Sequence, residues 1–201
     1  MEEVLNKEIA QQLMRTEGET RGVNLKNDAG FVLAREGKEG VKKLEEELER
    51  LGCPIKYEKI RSLNFYPIGL RTISLLTTKK VFSMGDEDIR DMCGFSMATS
   101  IIIRLYMKFF HSIPKVLEQA PKMLGEYYTV GNIFVKEYNE KEKRVILIIE
   151  QLDLHQVFCR CLEGYLRNIA KAVTGSKNVT CQEINCVFRG AKNHEFIIQW
   201  Q

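Results

Sequence analysis

The stretch 144-RVILIIE-150 decides the fold class, because a continuous apolar run bounded by charged residues is typical of a buried β-strand. Two further strands are predicted after it, over 179–188 and 194–200, with a turn between them that contains Gly190. Helical spacing over 154–173 places a helix between the strands, and helical patterns dominate the chain before them. This order predicts a single α+β domain, with N-terminal helices followed by an antiparallel sheet on which helices pack.

The first half of the chain is predicted to be helical. Helices are expected over 3–16, 27–35, 39–50, 67–79 and 86–110. The last of these is apolar around most of its circumference in its second half, so it should be central. The first has only a thin apolar stripe, which suggests packing on a partner chain. We therefore assign 1–60 to an N-terminal helical dimerisation region and 61–201 to a ligand-binding core.

Composition excludes several classes of function. The 30 Lys and Arg residues are offset by 27 Asp and Glu, and no stretch concentrates enough positive charge to bind a nucleic-acid backbone. The N-terminus lacks the basic and apolar regions of a signal peptide, and no apolar run could span a bilayer, so a cytoplasmic protein is predicted. Walker A, G-x-S-x-G and H-E-x-x-H motifs are missing, which predicts a non-enzymatic role.

Four metal-binding side chains fall within the last forty-three residues: Cys159, Glu183, Cys186 and His194. If the turn is centred on Gly190, Cys186 and His194 lie opposite each other in a hairpin, with Cβ atoms about 4.5–5.5 Å apart. A thiolate and an imidazole at that separation can bind one tetrahedral metal ion. Cys159 would reach them from the helix packed on the sheet.

Strand alternation argues against this cluster. Glu183 precedes Cys186 by three residues, so in a regular strand the two side chains face opposite ways. A bulge or a strand end near 184–185 would be needed to bring them together. The regular alternative places Ile184, Cys186 and Phe188 on the core face and Glu183 outside, where the cysteines are ordinary small core residues.

The segments 159-CRCLEGY-165 and 183-EINCVFRGAKNHEF-196 resemble the V4R (4-vinyl reductase) domain. The resemblance implies a structural zinc ion bound by Cys159, Glu183 and Cys186, with His194 where that family usually has a fourth Cys. It also implies an internal cavity for an aromatic or other apolar ligand. The same broad fold is shared with a subunit type of vesicle-tethering complexes and, more remotely, with heme-based nitric-oxide sensors.

Aromatic and methionine residues are dense between residues 65 and 134, and a minority of them could line the cavity that the resemblance implies. The candidate pocket residues are Phe65, Tyr66, Tyr106, Phe110, His111 and Phe134. His111 is also the one weak candidate for the axial ligand of a heme, because His194 is assigned to the metal cluster and His155 to a helix start.

We expect a cytoplasmic sensor or carrier that binds an apolar or aromatic ligand, forms a homodimer and signals through a separate partner. One alternative is a dimeric scaffold of the same fold without a ligand. Another is an accessory protein in tetrapyrrole or hydrocarbon metabolism. Stabilisation by a ligand would separate the first reading from the scaffold.

Overall fold

Six helices and two antiparallel sheets make up residues 5–99 and 112–201, the part of the chain that the computed structural model describes. The helices are α1 (Lys7–Met14), α2 (Gly22–Arg50), α3 (Ile68–Val81), α4 (Asp86–Thr99), α5 (Ile113–Tyr127) and α6 (Gln156–Thr174). The strands are β1 (Glu19–Arg21), β2 (Phe65–Pro67), β3 (Asn132–Asn139), β4 (Arg144–Glu150), β5 (Val179–Asn185) and β6 (His194–Trp200). The predicted α+β class is therefore confirmed. Within the described ranges, no helix is both long and apolar enough to cross a membrane.

The larger sheet is antiparallel throughout and has the strand order β3-β4-β6-β5. Along β4, Val145, Leu147 and Ile149 are buried, whereas the residues between them are half-buried. The apolar run had predicted a buried strand, but only one of its two faces is fully buried. The difference arises because α6, which packs on this sheet, fills the inner face only.

The inner face of the sheet forms the main core together with α4, α5 and α6. Helices α4 and α6 cross closely, and a Cβ atom on Gly164 would lie only 1.9 Å from the backbone oxygen of Arg90. Only glycine allows this approach. The crossing fixes the position of α6, which carries residues of both candidate sites described below.

A second core cluster joins α1, α2 and α3. The buried residues Leu5 and Ala10 belong to it, and Ile9 and Leu13 of α1 pack against it. The thin apolar stripe is therefore covered by the chain's own residues, so it no longer argues for a partner. The homodimer and the division at residue 60 stay predictions.

A buried ion pair connects α2 to α3. Arg71 and Asp28 are almost fully buried, and the guanidinium donates to both carboxylate oxygens, at 2.9 and 3.2 Å. The third guanidinium nitrogen donates to the hydroxyl of Tyr128. Burial alone would lower the pKa of Arg71, but the charge of Asp28 holds it well above its ordinary value. Arg71 thus stays charged in the core.

Candidate ligand cavity and metal centre

The structure brings the side chains of Cys159, Glu183, Cys186 and His194 together. One donor atom from each lies within 4.8 Å of the other three, and all four residues are buried. The sulfur of Cys159 is 3.9 Å from the sulfur of Cys186 and 3.7 Å from Nδ1 of His194. Nδ1 of His194 is 2.7 Å from Oε1 of Glu183. Two sulfurs, one imidazole nitrogen and one carboxylate oxygen form a set that a transition-metal ion could share.

The break in strand regularity that is needed to bring Glu183 and Cys186 together is present at the end of β5. The pairing of β5 with β6 shifts register between Glu183 and Asn185, and the strand ends there. Cys186 then begins a short 3-10 helix, Val187–Arg189, which ends at Gly190 with a positive φ of 89°. The regular alternative is wrong, because Ile184 and Phe188 are 43% and 37% exposed.

Charged neighbours hold the carboxylate of Glu183 in place. Its Oε2 accepts hydrogen bonds from Arg160 at 2.9 Å and from Arg189 at 3.4 Å. Its backbone N–H donates to the buried carboxylate of Glu163 at 2.7 Å. Oε2 is thus engaged by the two arginines, and Oε1 is the oxygen that faces the cluster.

Two side chains of the cluster, Cys159 and Glu183, have pKa values that differ from their ordinary values. Burial, together with the charge of Glu183, raises the pKa of the Cys159 thiol far above its ordinary value. Burial would also raise the pKa of Glu183, but hydrogen bonds from His194 and the two thiols lower it instead. Cys159 is therefore a neutral thiol without a metal, and a cation that binds there must displace its proton.

An apolar cavity of about 90 Å³ lies between α5, α6 and the inner face of the sheet. Its walls are aliphatic and aromatic, and Tyr127, Tyr128, Tyr165, Thr174 and Trp200 carry the only polar side-chain groups among the described lining residues. Helix α5 contributes one continuous stripe: Ile113, Val116, Leu117, Ala120, Met123, Leu124 and Tyr127. Such walls suit a small apolar guest.

The predicted pocket residues do not line this cavity as far as the structure describes them. Phe134 is 50% exposed on β3, and Tyr66 packs instead against the core of α1, α2 and α3. Phe65 lies on β2, where its ring contacts the guanidinium of Arg21. The three remaining candidates, Tyr106, Phe110 and His111, lie outside the described residues. Three of the six candidates therefore lie away from this cavity, whereas Tyr127 and Tyr128, from the same aromatic-rich segment, line it.

The signal that sequence reasoning missed is the periodicity of α5. Its cavity-lining residues recur every three or four positions, which is the pattern of one helix face. On α6 the residues Leu162, Tyr165, Leu166 and Ile169 follow the same spacing. Two apolar faces and the inner residues of the sheet would have predicted where the cavity lies.

The fold is that of H-NOX domains. An H-NOX protein from S. oneidensis in the Fe(II)NO ligation state aligns with a TM-score of 0.68 and 14% identity, over 90% of this chain and 99% of that one. The Fe(II) unliganded H-NOX protein from K. algicida aligns with a TM-score of 0.64 and 13% identity, over 90% of this chain and 96% of that one. A structure described as "Probing the function of heme distortion in the H-NOX family" aligns with a TM-score of 0.63 and 11% identity, over 90% of this chain and 95% of that one. No family model matches the sequence. No curated protein matches it either.

These comparisons correct two expectations. The V4R assignment is wrong, because the structures that match along 90% of the chain are H-NOX domains and no family model supports V4R. The structural zinc ion came with that resemblance and is not retained, since the descriptions of the matching structures name heme and Fe(II). The broader α+β expectation, with its remote likeness to heme-based sensors, agrees with the fold.

The cavity does not fit a heme group within the described residues. Its lining includes no Lys or Arg that could pair with the two propionates, and no His or Cys that could bind the iron. Its volume of about 90 Å³ is also smaller than the roughly 150 Å³ of an engineered cavity that binds benzene. His155 accepts a hydrogen bond from the N–H of Val157 at a helix start, and His194 belongs to the cysteine cluster.

Proposed function

We propose that this chain is a cytoplasmic, non-enzymatic sensor or carrier domain that binds a small apolar or aromatic molecule between α5, α6 and the sheet. The proposal rests on this cavity, whose walls are formed almost entirely by aliphatic and aromatic side chains. A native interior is normally packed without large voids, so an apolar cavity requires an explanation. An apolar guest gains the transfer free energy of leaving water without breaking any hydrogen bond of the protein.

We further propose that Cys159, Glu183, Cys186 and His194 bind one transition-metal ion. The ion would connect the N-terminal end of α6 to the loop after β5 and to the start of β6. Two sulfurs, an imidazole nitrogen and a carboxylate oxygen are all donors that such ions accept. Because α6 and β6 also form cavity walls, this ion would help to fix the shape of the ligand site.

Benzene should raise the melting temperature of the protein. A ligand that binds only the folded state stabilises it by an amount that grows with its concentration, about 2.7 kcal/mol at one hundred times its Kd. The small volume implies that lining side chains move slightly to admit a six-membered ring. Thermal denaturation at increasing benzene concentration measures the effect.

Ala120→Leu provides the control, because Ala120 lies on the cavity-lining face of α5. The larger side chain should fill part of the cavity, keep the protein folded and abolish the benzene-dependent shift. A wild type that benzene does not stabilise would refute the ligand-binding proposal and favour the scaffold. An equal shift in both proteins would place the binding elsewhere.

A further inference from the structure

The imidazole of His194 uses only one of its two nitrogens within the candidate metal centre. Nδ1 lies 2.7 Å from Oε1 of Glu183 and 3.7 Å from the sulfur of Cys159. Nε2, on the other side of the ring, is shielded from solvent and makes no hydrogen bond within the described residues. A carboxylate is nevertheless close, because Oδ1 of Asp153 lies 3.3 Å from Nε2. A buried nitrogen without a hydrogen bond, next to an acceptor, requires an explanation.

The backbone holds Asp153 beside this ring. The residue lies at the centre of a tight turn between β4 and α6, in which the N–H of Leu154 donates to the carbonyl of Leu152 at 3.0 Å. The side chain of Leu152 is buried in the main core, and Leu154 packs against that core. Both neighbours of Asp153 are therefore anchored, although its own side chain is 54% exposed.

Binding of a metal ion changes which nitrogen of His194 carries a proton. An ionised carboxylate can only accept a hydrogen bond, so in the metal-free cluster Nδ1 carries the proton that faces Glu183. An ion bound at Nδ1 needs the lone pair of that nitrogen, and the neutral ring then carries its proton on Nε2. Nε2 is thereby a donor, and the acceptor that faces it is the carboxylate of Asp153.

We propose that Asp153 is a positioning residue of the metal centre, whose carboxylate accepts a hydrogen bond from Nε2–H of His194 when an ion is bound at Nδ1. This inference rests on the proposed metal site and adds to it a residue that supports a ligand without touching the ion. Histidine ligands usually donate their second N–H to such a group, which fixes the ring and makes the nitrogen a better ligand. The 3.3 Å separation must shorten by about 0.5 Å to reach the length of a charge-assisted hydrogen bond, and rotation of the exposed carboxylate is sufficient for this.

Titration of the metal-free protein with Co²⁺ tests the role of Asp153, because this ion accepts sulfur, nitrogen and oxygen donors and its visible absorption reports thiolate ligands. Competition with a chelator gives the dissociation constants. Asp153→Ala should weaken Co²⁺ binding about 10- to 100-fold. Asp153→Asn should recover a large part of this loss, because its carbonyl oxygen still accepts a hydrogen bond. Glu150→Ala removes a negative charge at the end of β4 that takes no part in the described ion pairs of His194, and it should change the affinity little.

The outcomes separate this inference from the metal site on which it rests. Without metal, all four proteins should melt at nearly the same temperature, since an exposed carboxylate contributes little to stability. If the wild type binds Co²⁺ and Asp153→Ala binds it equally well, or if Asp153→Asn binds it as weakly as Asp153→Ala, the positioning role is wrong while the metal site stands. If the wild type binds no Co²⁺, or Cys186→Ser binds it as tightly as the wild type, the four-ligand site fails and the role of Asp153 fails with it.

Discussion

Asp28→Ala is expected to destabilise the fold by about 3–5 kcal/mol, because it leaves the charge of Arg71 buried without its partner. Side-chain exposures of 3% for Arg71 and 2% for Asp28 keep the pair away from bulk water. For a chain of this size each kcal/mol corresponds to roughly 2–4 °C in Tm, so a loss on the order of 10 °C is expected. Chemical and thermal denaturation measure both quantities.

The double variant Asp28→Leu/Arg71→Met is the control. Replacing both members of a buried pair by apolar residues of similar volume removes the unpaired charge, so the double variant should be more stable than Asp28→Ala. The hydroxyl of Tyr128 also loses its donor in this variant, which limits the recovery. A double variant as unstable as the single one would show that the pair's charge is not the cause.

Cys186→Ser is expected to abolish metal binding and to lower Tm by on the order of 10 °C. The substitution removes one of two thiolates from the cluster, and the free energy of binding a structural ion is also free energy of folding. Elemental analysis of protein purified without a His-tag should find about one transition-metal ion per chain in the wild type and identify the element. Melting curves with and without a chelator supply the second measurement.

The matched control is Cys181→Ser, which lies on β5, five residues before Cys186, and is outside the cluster. It should retain the metal content of the wild type and respond to the chelator in the same way. Wild-type protein without bound metal would contradict the four-ligand site. The cluster would then be held by the hydrogen bond between His194 and Glu183 together with the arginine contacts of Glu183.

Strong local signals in the sequence predicted much of the fold. Pro67 precedes α3 as expected, and β6 runs from His194 to Trp200 as predicted. Separate helices were predicted over 27–35 and 39–50, and Gly37 between them does interrupt α2 with a φ of +71°, although the helical stretch already begins at Gly22. The predicted helix over 86–110 begins at Asp86, and its second half lies outside the described residues.

The candidate metal centre could be predicted because hairpin geometry relates residues on either side of a turn. Cys186 and His194 are equally distant from Gly190, so their proximity follows from the register of the strands. The register shift at Glu183 was required by the hypothesis but has no sequence signature of its own. Two residues of α6 contact Glu183 there: Arg160 donates to its carboxylate, and Glu163 accepts from its backbone N–H.

The cavity could not be located in the same way, because a cavity depends on which faces of three elements meet. Phe65 and Phe134 were chosen as candidate pocket residues because they are aromatic. The residue type alone does not determine which face of a sheet a side chain lies on. Phe134 pairs with Ile148 on the outer face of the sheet, one position away from the buried Ile133. A shift of one residue along a strand moves a side chain from the core to solvent.

Xenon binding in a pressurised crystal tests the central claim most directly. Xenon is apolar, occupies dry cavities and is located by its anomalous scattering. The proposal predicts a xenon site among Leu117, Ala120, Leu147, Leu162 and Ile198 in the wild type, and its loss in Ala120→Leu. A cavity that stays empty under xenon, or that contains ordered water, would contradict an apolar ligand site between α5, α6 and the sheet.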